Sequence, residues 1–455
     1  MKKTAHIVKA SRAIQSYLLF LAILIIVPAQ AYAQLKVDVT QGISDPLPVA
    51  IPKFYGETSL EIEIGTKIAG LIAKDLERSG LFRVIDPEAY IEKLPSINVV
   101  PRFGDWRQIN AQALFQGQVR EMNGGVLFLG CRLWDVFGEK EMKMKERAFS
   151  AVPILWRQVA HRFADFAYER ITGESGYFDS RIVYISEFGS PRNRRKILAM
   201  MDQDGANHVD LTDGRALVLT PRFSPNPKEQ LITYLSYSDG TPRVYLFDIN
   251  ARKQELIGQF PGMTFAPRFS PNGNEIIMSM AKHGNSDIYV MDLRTRRTKK
   301  LTRHPAIDTS PSYAPDGKLI VFNSDRGGSQ QLYVMKSDGS KVRRISFGSG
   351  RYSTPVWSPR GDLIAFTKFT GGEFSIGVME ENGEGERLLA SGFLVEGPTW
   401  APNGRVLMFF KEESKKNKLY SIDLTGRNER EIPIPRGGSD PAWGPLRYVD
   451  KNSKN

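Results

Sequence analysis

Cysteine and histidine are scarce in this chain of 455 residues, and their scarcity argues against two kinds of site. Cys131 is the one cysteine, so no disulfide can form within the chain. It lies in the strand-like run Val126–Trp134, which predicts a buried and unreactive thiol. Five histidines are present, and apart from His6, near the N-terminus, no two have the spacing of metal ligands. We therefore predict no metal site.

The motifs of several common enzyme classes are also missing. The chain contains no G-x-S-x-G elbow, no H-E-x-x-H pair and no P-loop. The run Asp202-Gln203-Asp204-Gly205 resembles the start of a calcium loop, but the later ligands do not follow, so a hairpin turn is predicted. These absences give poor support for catalysis, and we predict no cofactor and no catalytic residues.

Long apolar runs are absent after residue 33, where no segment reaches 18 apolar residues. Before it, a basic start precedes the eleven-residue apolar run Tyr17–Val27 and the small-residue site Ala31-Tyr32-Ala33. This order predicts a cleaved signal peptide over 1–33, a mature chain from Gln34 and an exported protein. An uncleaved anchor is the alternative.

A strong charge of one sign is lacking as well. The formal net charge is +12, from 62 basic and 50 acidic residues. The basic residues are scattered, and the clusters at 192–196 and 294–300 are explained by solvated loops in an exported protein. We predict no nucleic-acid partner.

What the sequence does contain is a six-fold repeat of an aromatic residue, a small residue and proline. The aromatic residues are separated by 46, 44, 44, 43 and 43 residues, a period typical of propeller blades. The six copies are Phe223-Ser224-Pro225, Phe269-Ser270-Pro271, Tyr313-Ala314-Pro315, Trp357-Ser358-Pro359, Trp400-Ala401-Pro402 and Trp443-Gly444-Pro445.

The phase of the repeat predicts how the ring closes. Almost nothing follows Trp443, and three strand-like segments in 181–212 precede the first copy without an inner strand of their own. We predict a mixed blade with its inner strand from Ala442–Gly444, which makes six blades over 181–446 and hides both end strands. A β-solenoid or two sandwiches is the alternative.

The part before the repeats, 34–173, has the mixed pattern of a small α/β domain. The fold class is therefore mainly β: a six-bladed β-propeller preceded by a small α/β domain, with 447–455 as a disordered tail. The predicted strands are Lys36–Thr40, Leu47–Ile51, Phe82–Ile85, Leu114–Val119, Val126–Trp134 and Lys143–Phe149, and the predicted helices are Thr66–Ser79, Asp105–Ala111 and one opened by Pro153.

This combination resembles the TolB family, the periplasmic propeller proteins of the Tol–Pal system of Gram-negative bacteria. The resemblance covers 34–446 and is carried by strings such as Ile288–Asp292, by Leu35–Gly42 and by Pro48–Pro52. It implies a non-catalytic scaffold that binds a Pal-like peptidoglycan-associated lipoprotein and a TolA-like inner-membrane protein. It also implies a role in outer-membrane integrity and in constriction at cell division, and a monomer outside its complexes.

The resemblance also implies where the partners bind. The TolA-like protein is expected at the mature N-terminus: Gln34, Leu35, Lys36, Val37, Asp38, Val39 and Thr40. The Pal-like protein is expected on loops that lead into the inner strands and end in x-Pro pairs: Met263, Thr264, Phe265, Ala266, Thr309, Ser310, Arg351, Tyr352 and Glu396.

Within this set, Phe265 and Tyr352 are expected to offer apolar anchors. Met263 and Ser310 depart from residues that family members can carry, His and Glu, so the polar contacts of those two residues do not carry over to this chain. Two alternatives stay open from the residues: these positions only pack the loops, or the chain is an exported propeller enzyme acting on a small molecule at the channel.

Overall fold

The computed structural model describes residues 45–190, 193–238, 240–258, 260 and 263–448, and of Met263 the backbone alone. It has the predicted fold, a six-bladed β-propeller preceded by an α/β region. The predicted signal segment and 34–40 lie outside the described residues. Within the described residues, no helix combines the length and the apolar character needed to span a bilayer.

The α/β region is built on one sheet with the strand order β2-β1-β3-β4-β5, in which β6 also pairs with β4. Strand β1 runs parallel to both of its neighbours, while β3 and β4 form an antiparallel hairpin. The strands are β1 (Leu47–Ala50), β2 (Phe82–Val84), β3 (Ala113–Met122), β4 (Val126–Asp135), β5 (Lys140–Glu141) and β6 (Ala148–Ala151). The α-helices are α1 (Ser59–Arg78), α2 (Phe103–Gln108) and α3 (Trp156–Thr172), with 3₁₀ turns at Pro87–Ala89 and Pro153–Leu155.

Helix α1 begins at Ser59, earlier than the predicted Thr66. A capping box explains the difference, because the Thr58 side chain accepts from the Glu61 amide and Glu61 bonds back to the Thr58 amide. The other Glu61 oxygen accepts from the backbone amide of Glu121 at 2.7 Å, which ties the helix start to β3. Burial raises the pKa of Glu61, but these amide bonds outweigh it and the pKa is lowered.

The strand predicted at Lys143–Phe149 is misplaced. Residues 143–147 form no strand, and β6 occupies Ala148–Ala151. The reason is that β5 and β6 pair with the same edge of β4, the edge that β3 leaves free, and residues 142–147 stand opposite residues 131–133 only, so this part of the chain bulges out of the ladder. Cys131, in the middle of β4, is buried as predicted, and burial raises the pKa of its thiol.

The propeller consists of six four-stranded sheets, and one of them is the predicted mixed blade. Its strand order is β30-β7-β8-β9, so the last strand of the propeller is its inner strand. Strand β30 runs antiparallel to β7, with Trp443 opposite Ile182. The strands of this blade are β7 (Ser180–Phe188), β8 (Arg195–Asp202), β9 (Val209–Asp210) and β30 (Gly437–Leu446).

The five complete blades follow one another along the chain, each from its inner to its outer strand. Blade 1 has β10 (Val218–Phe223), β11 (Leu231–Ser236), β12 (Arg243–Asp248) and β13 (Lys253–Gly258). Blade 2 has β14 (Met263–Phe269), β15 (Glu275–Lys282), β16 (Asn285–Asp292) and β17 (Thr298–Lys300). Blade 3 has β18 (Asp308–Tyr313), β19 (Leu319–Ser324), β20 (Gln331–Lys336) and β21 (Arg343–Arg344). Blade 4 has β22 (Arg351–Trp357), β23 (Leu363–Thr370), β24 (Glu373–Glu380) and β25 (Arg387–Gly392). Blade 5 has β26 (Val395–Trp400), β27 (Val406–Glu413), β28 (Lys416–Asp423) and β29 (Arg430–Ile432).

The core of the propeller lies between the blades. Each hydrophobic cluster combines buried side chains of two neighbouring blades, such as Phe322 of blade 3 with Ile277 of blade 2. Full burial of such a side chain stabilises the fold by about 1.5–3 kcal/mol. At the closure, the Trp443 backbone amide donates to Thr399 Oγ1 of blade 5 at 3.1 Å.

The start of the predicted disordered tail is wrong by at least two residues. Arg447 forms an ion pair with Asp179 at 2.5 Å, and the Tyr448 ring packs edge-on against Phe166 of α3 at 5.4 Å. Arg447 therefore connects the last strand to the segment directly before β7, and Tyr448 connects it to the α/β region. The rest of that segment lies outside the described residues.

Candidate functional site: the propeller channel and its two ends

Every inner strand of the propeller contains a β-bulge at its x-Pro pair. The register of each inner strand shifts at this point, and the residue before the proline has a positive φ. The φ values are 49° at Thr220, 46° at Ala266, 54° at Ser310, 45° at Thr354, 70° at Gly397 and 49° at Asp440. A bulge accommodates a proline, which cannot donate to the strand ladder.

The predicted partner-binding residues consequently lie within inner strands, and not in the loops before them. Met263 to Ala266 belong to β14, Thr309 and Ser310 to β18, Arg351 and Tyr352 to β22, and Glu396 to β26. Each of these residues comes before the proline at the bulge of its own strand. The structure thus places them at a common level, on four consecutive blades.

Tyr352 is not an exposed anchor. Its side chain is fully buried in the core between blades 3 and 4, with the ring 5.3 Å from that of Phe366. Its hydroxyl donates to the Glu386 carboxylate at 2.8 Å, and Lys368 pairs with the same carboxylate at 2.6 Å. Tyr352 therefore holds the blade together.

The remaining predicted residues divide by burial. Thr264 is fully buried, whereas Phe265, Ala266, Thr309 and Ser310 are half-buried. Thr309 donates to Asn323 at 3.0 Å within its own blade, and the Ser310 amide donates to Ser279 of blade 2 at 3.1 Å. Arg351 is exposed, with its guanidinium 5.9 Å from the centre of the Phe369 ring.

Glu396 is half-buried and close enough to Asp440 for the two carboxylates to interact. Burial raises the pKa of Glu396, and the charge of Asp440 raises it further. An acidic pair therefore stands beside the bulges of blade 5 and the mixed blade.

Four exposed apolar side chains lie where the chain leads into the inner strands, and sequence reasoning missed them. We call this side of the propeller the upper face, defined by Leu217, Ile307, Phe347 and Phe393. Their side chains are 43%, 45%, 72% and 77% exposed, and the two phenylalanines are the most exposed large apolar residues among the described propeller residues. The signal available in the sequence was an apolar residue one to four positions before an inner strand.

The aromatic-small-proline motifs lie at the other end of the inner strands, which we call the lower mouth. All six copies contribute residues to the lining of one cavity of about 550 Å³ in the channel. Arg222 and Arg268, each the next-to-last residue of its inner strand, line the same cavity, as does Tyr448. The sequence predicted these motifs only as strand ends and turns.

A buried polar cluster joins the α/β region to the mixed blade, and it too was missed. His161 of α3 contacts Asp75 of α1 at 2.6 Å, and the Gln203 amide donates to the other oxygen of Asp75 at 3.1 Å. Arg157 of α3 pairs with Asp204 at 2.6 Å. Asp75 and Gln203 are 128 residues apart in sequence, which is why local patterns did not reveal the cluster.

Three members of this region also have the proximity of metal ligands. One ligand atom each from His161, Asp202 and Asp204 lies within 4.8 Å of the others. Arg157 already interacts with both carboxylates, and Arg447 lies 3.5 Å from Asp202. Asp202 to Gly205 form the predicted hairpin turn, in which the Gly205 amide donates to the Asp202 carbonyl at 3.0 Å.

Comparison with known proteins gives two family matches that together span nearly the whole chain. The TolB amino-terminal domain matches residues 35–142, and the TolB beta propeller domain matches residues 168–447. The Tol-Pal system protein TolB of Paramagnetospirillum magneticum is 58% identical over 433 residues, which cover 94% of this chain and 96% of that protein.

A solved structure agrees with this result. TolB from Acinetobacter baumannii has a TM-score of 0.78 at 28% identity, with 90% of this chain and 100% of that chain covered. The matches include both the α/β region and the propeller, in the order predicted. This chain therefore belongs to the TolB family of the Tol–Pal system, a non-catalytic family.

Proposed function

We propose that this protein is a periplasmic scaffold that binds a Pal-like lipoprotein through the upper face and channel entrance of the propeller. We further propose that it binds a TolA-like inner-membrane protein through residues 34–40. In this role it supports outer-membrane integrity and constriction at cell division, and it is a monomer outside its complexes. Membership of the TolB family supports a Tol–Pal scaffold.

The exposed apolar side chains of the upper face carry the proposal for the Pal-like partner. Phe347 and Phe393 are more than 70% exposed, and like Leu217 and Ile307 they stand where the chain leads into an inner strand. An apolar surface made of several such side chains is typical of protein interaction sites. They precede the inner strands of neighbouring blades 4 and 5. Aromatic residues of this kind dominate the binding energy of protein interfaces, which bury about 800 Å² on each partner.

The predicted residues of β14, β18, β22 and β26 extend this surface toward the channel. Phe265 and Ala266 remain accessible in part, and Arg351 offers an exposed guanidinium. We propose that these residues form the inner contacts, while Phe347 and Phe393 replace Tyr352 as the apolar anchors. Thr264 and Tyr352 contribute by holding their blades in place, since both are buried.

The first prediction tests these anchors with the double variant Phe347→Asp and Phe393→Asp. We expect binding of a Pal-like lipoprotein to be lost, because each anchor contributes about 2 kcal/mol or more and the new carboxylates would be desolvated. The melting temperature should change little, since both side chains are exposed. Calorimetry with the purified partner measures the affinity.

Leu388→Asp is the matched control, because Leu388 is 50% exposed but lies on the outer strand β25. It should bind the lipoprotein as tightly as the unaltered protein. Normal binding by the folded double variant would place the partner elsewhere on the molecule.

The second prediction concerns residues 34–40, which lie outside the described residues. Their alternation of apolar and polar side chains suits a strand that adds to the edge of a partner sheet. Deleting Gln34–Thr40 should remove binding of a TolA-like protein and leave the melting transition and lipoprotein binding intact. Retained binding of the TolA-like protein would refute this site.

A further inference from the structure

The six residues that follow the bulge prolines line the channel cavity together. They are Arg222, Arg268, Ser312, Val356, Thr399 and Ala442, one from each blade. Four are small or medium-sized, and the two arginines stand on the neighbouring strands β10 and β14. The repeat is therefore broken at two adjacent blades, by the same charged side chain.

The small polar members of this set are engaged in the fold. Ser312 accepts from the Trp357 amide of the next blade at 3.2 Å, and Thr399 accepts from the Trp443 amide at 3.1 Å. The arginines are different. Arg222 donates to the Pro221 carbonyl at 2.6 Å, yet the Nε atoms of Arg222 and Arg268 are buried without a hydrogen-bond partner.

Neither guanidinium has an ion-pair partner within the described part of the chain. The negative charge of Asp440 raises the pKa of Arg222 without forming an ion pair with it. The charge nearest in effect on Arg268 is the positive charge of Arg222, which lowers the pKa of Arg268. Burial lowers the pKa of both side chains, and the neighbouring arginine lowers that of Arg268 further. The two side chains are half-buried with their Nε atoms fully buried, so a negatively charged group placed between them would offset the cost of desolvating these charges.

We propose that the channel binds an oxyanion, a phosphate or a carboxylate group, between Arg222 and Arg268. A guanidinium presents several N–H donors in a planar fork that matches both groups. The cavity of about 550 Å³ is large enough for a small organic molecule. Trp357, Trp400 and the motif prolines form apolar walls for the rest of such a ligand.

This site differs from the proposed partner surface in both place and ligand. The arginines lie beyond the bulges on the side of the lower mouth, whereas Phe347 and Phe393 lie on the upper face. The inference therefore does not depend on the proposed function, and its test uses no protein partner.

The test is calorimetric titration of the purified protein with inorganic phosphate, succinate and chloride at constant ionic strength. We expect saturable binding of phosphate or succinate, not of chloride, and a melting temperature that rises with the concentration of the bound anion. Tighter binding of phosphate than of succinate would indicate a phosphate ligand, and the reverse order would indicate a carboxylate ligand. Binding of neither oxyanion by the unaltered protein would overturn the proposal.

Arg268→Gln should weaken this binding about tenfold or more, because one charged fork is lost. Arg222→Gln should act in the same direction and serves as the second variant if the first does not fold. Arg351→Gln is the matched control, because Arg351 is an exposed arginine of an inner strand on the other side of its bulge. Equal losses in the control and in the channel variants would overturn the proposal.

Discussion

At the level of single residues, burial decides which predicted contacts can reach a partner. Tyr352 and Phe265 are both aromatic and both precede a bulge, but only Phe265 is partly accessible. The Tyr352 hydroxyl is bonded to Glu386, and burial raises the pKa of that hydroxyl. The third prediction is therefore about stability and not about binding.

Replacing Tyr352 with phenylalanine should lower the free energy of unfolding by about 1.5–3 kcal/mol, the contribution of a hydrogen bond to a charged group. Tyr352→Asp should cost more than 4 kcal/mol, roughly, since it places a carboxylate in the core between two blades. Denaturant unfolding measures both values. The Tyr352→Phe variant should bind the lipoprotein as tightly as the unaltered protein does. A clear loss of affinity would instead mean that the Tyr352 hydroxyl takes part in the interface.

At the level of elements, the last strand determines whether the ring is closed. Strand β30 covers one edge of β7, and Trp443 donates from its indole nitrogen to Ser180 at 2.8 Å. The Trp443 ring also packs edge-on against Tyr177 at 5.8 Å, next to the start of the propeller. An uncovered β7 would present its unpaired backbone groups to solvent and to other chains.

The fourth prediction is that deletion from Ser439 onward abolishes cooperative unfolding or causes aggregation. Calorimetry and light scattering report these two outcomes. Deletion from residue 449 onward is the control, because it leaves β30 and Tyr448 in place. If the longer deletion melted like the unaltered protein, the closing strand would not be needed for a stable ring.

At the level of the whole molecule, one buried and one partly exposed group of polar contacts hold the α/β region against the propeller. Asp75, His161 and Gln203 form one contact, and Glu174 forms another with Arg405 and Arg360. Burial lowers the pKa of His161, but the carboxylates of Asp75, Asp204 and Asp202 outweigh it and the pKa is raised. Protonated His161 therefore stabilises this junction.

The fifth prediction follows from the direction of that pKa. The contribution of His161 is fully present below about pH 6.5, its unfolded value, and is lost as the pH rises through the higher folded value. The melting temperature of the unaltered protein should fall over this range more steeply than that of His161→Gln. The two slopes of melting temperature against pH must be compared because buried Asp165 also has a raised pKa. Asp165 therefore lowers the melting temperature with rising pH in both proteins.

The exposed histidine His283, which lies in a hairpin turn, provides the control variant His283→Gln. Its pH dependence should match that of the unaltered protein. Equal slopes for His161→Gln and the unaltered protein would mean that His161 does not titrate in this range.

The sequence by itself determined the blades of the propeller, their number and the closure of the ring. The period of the aromatic-small-proline motif marks one blade after another, and β30 (Gly437–Leu446) supplies the inner strand that the segments in 181–212 lack. Strand patterns, turns and the Thr58 cap depend on residues close together in sequence, so local chemistry is enough to reveal them. The start of α1 could have been found in the same way, from Thr58 and Glu61.

Only the tertiary structure decided which of these residues are accessible and which distant residues meet. Neighbouring blades bury Tyr352, bring Arg222 beside Arg268 and leave Phe347 and Phe393 in solvent. The junction of Asp75 with Gln203 joins residues of different regions. Such contacts depend on how whole elements pack against each other. The alternation of side chains along a strand does not show which of those side chains a neighbouring element will cover.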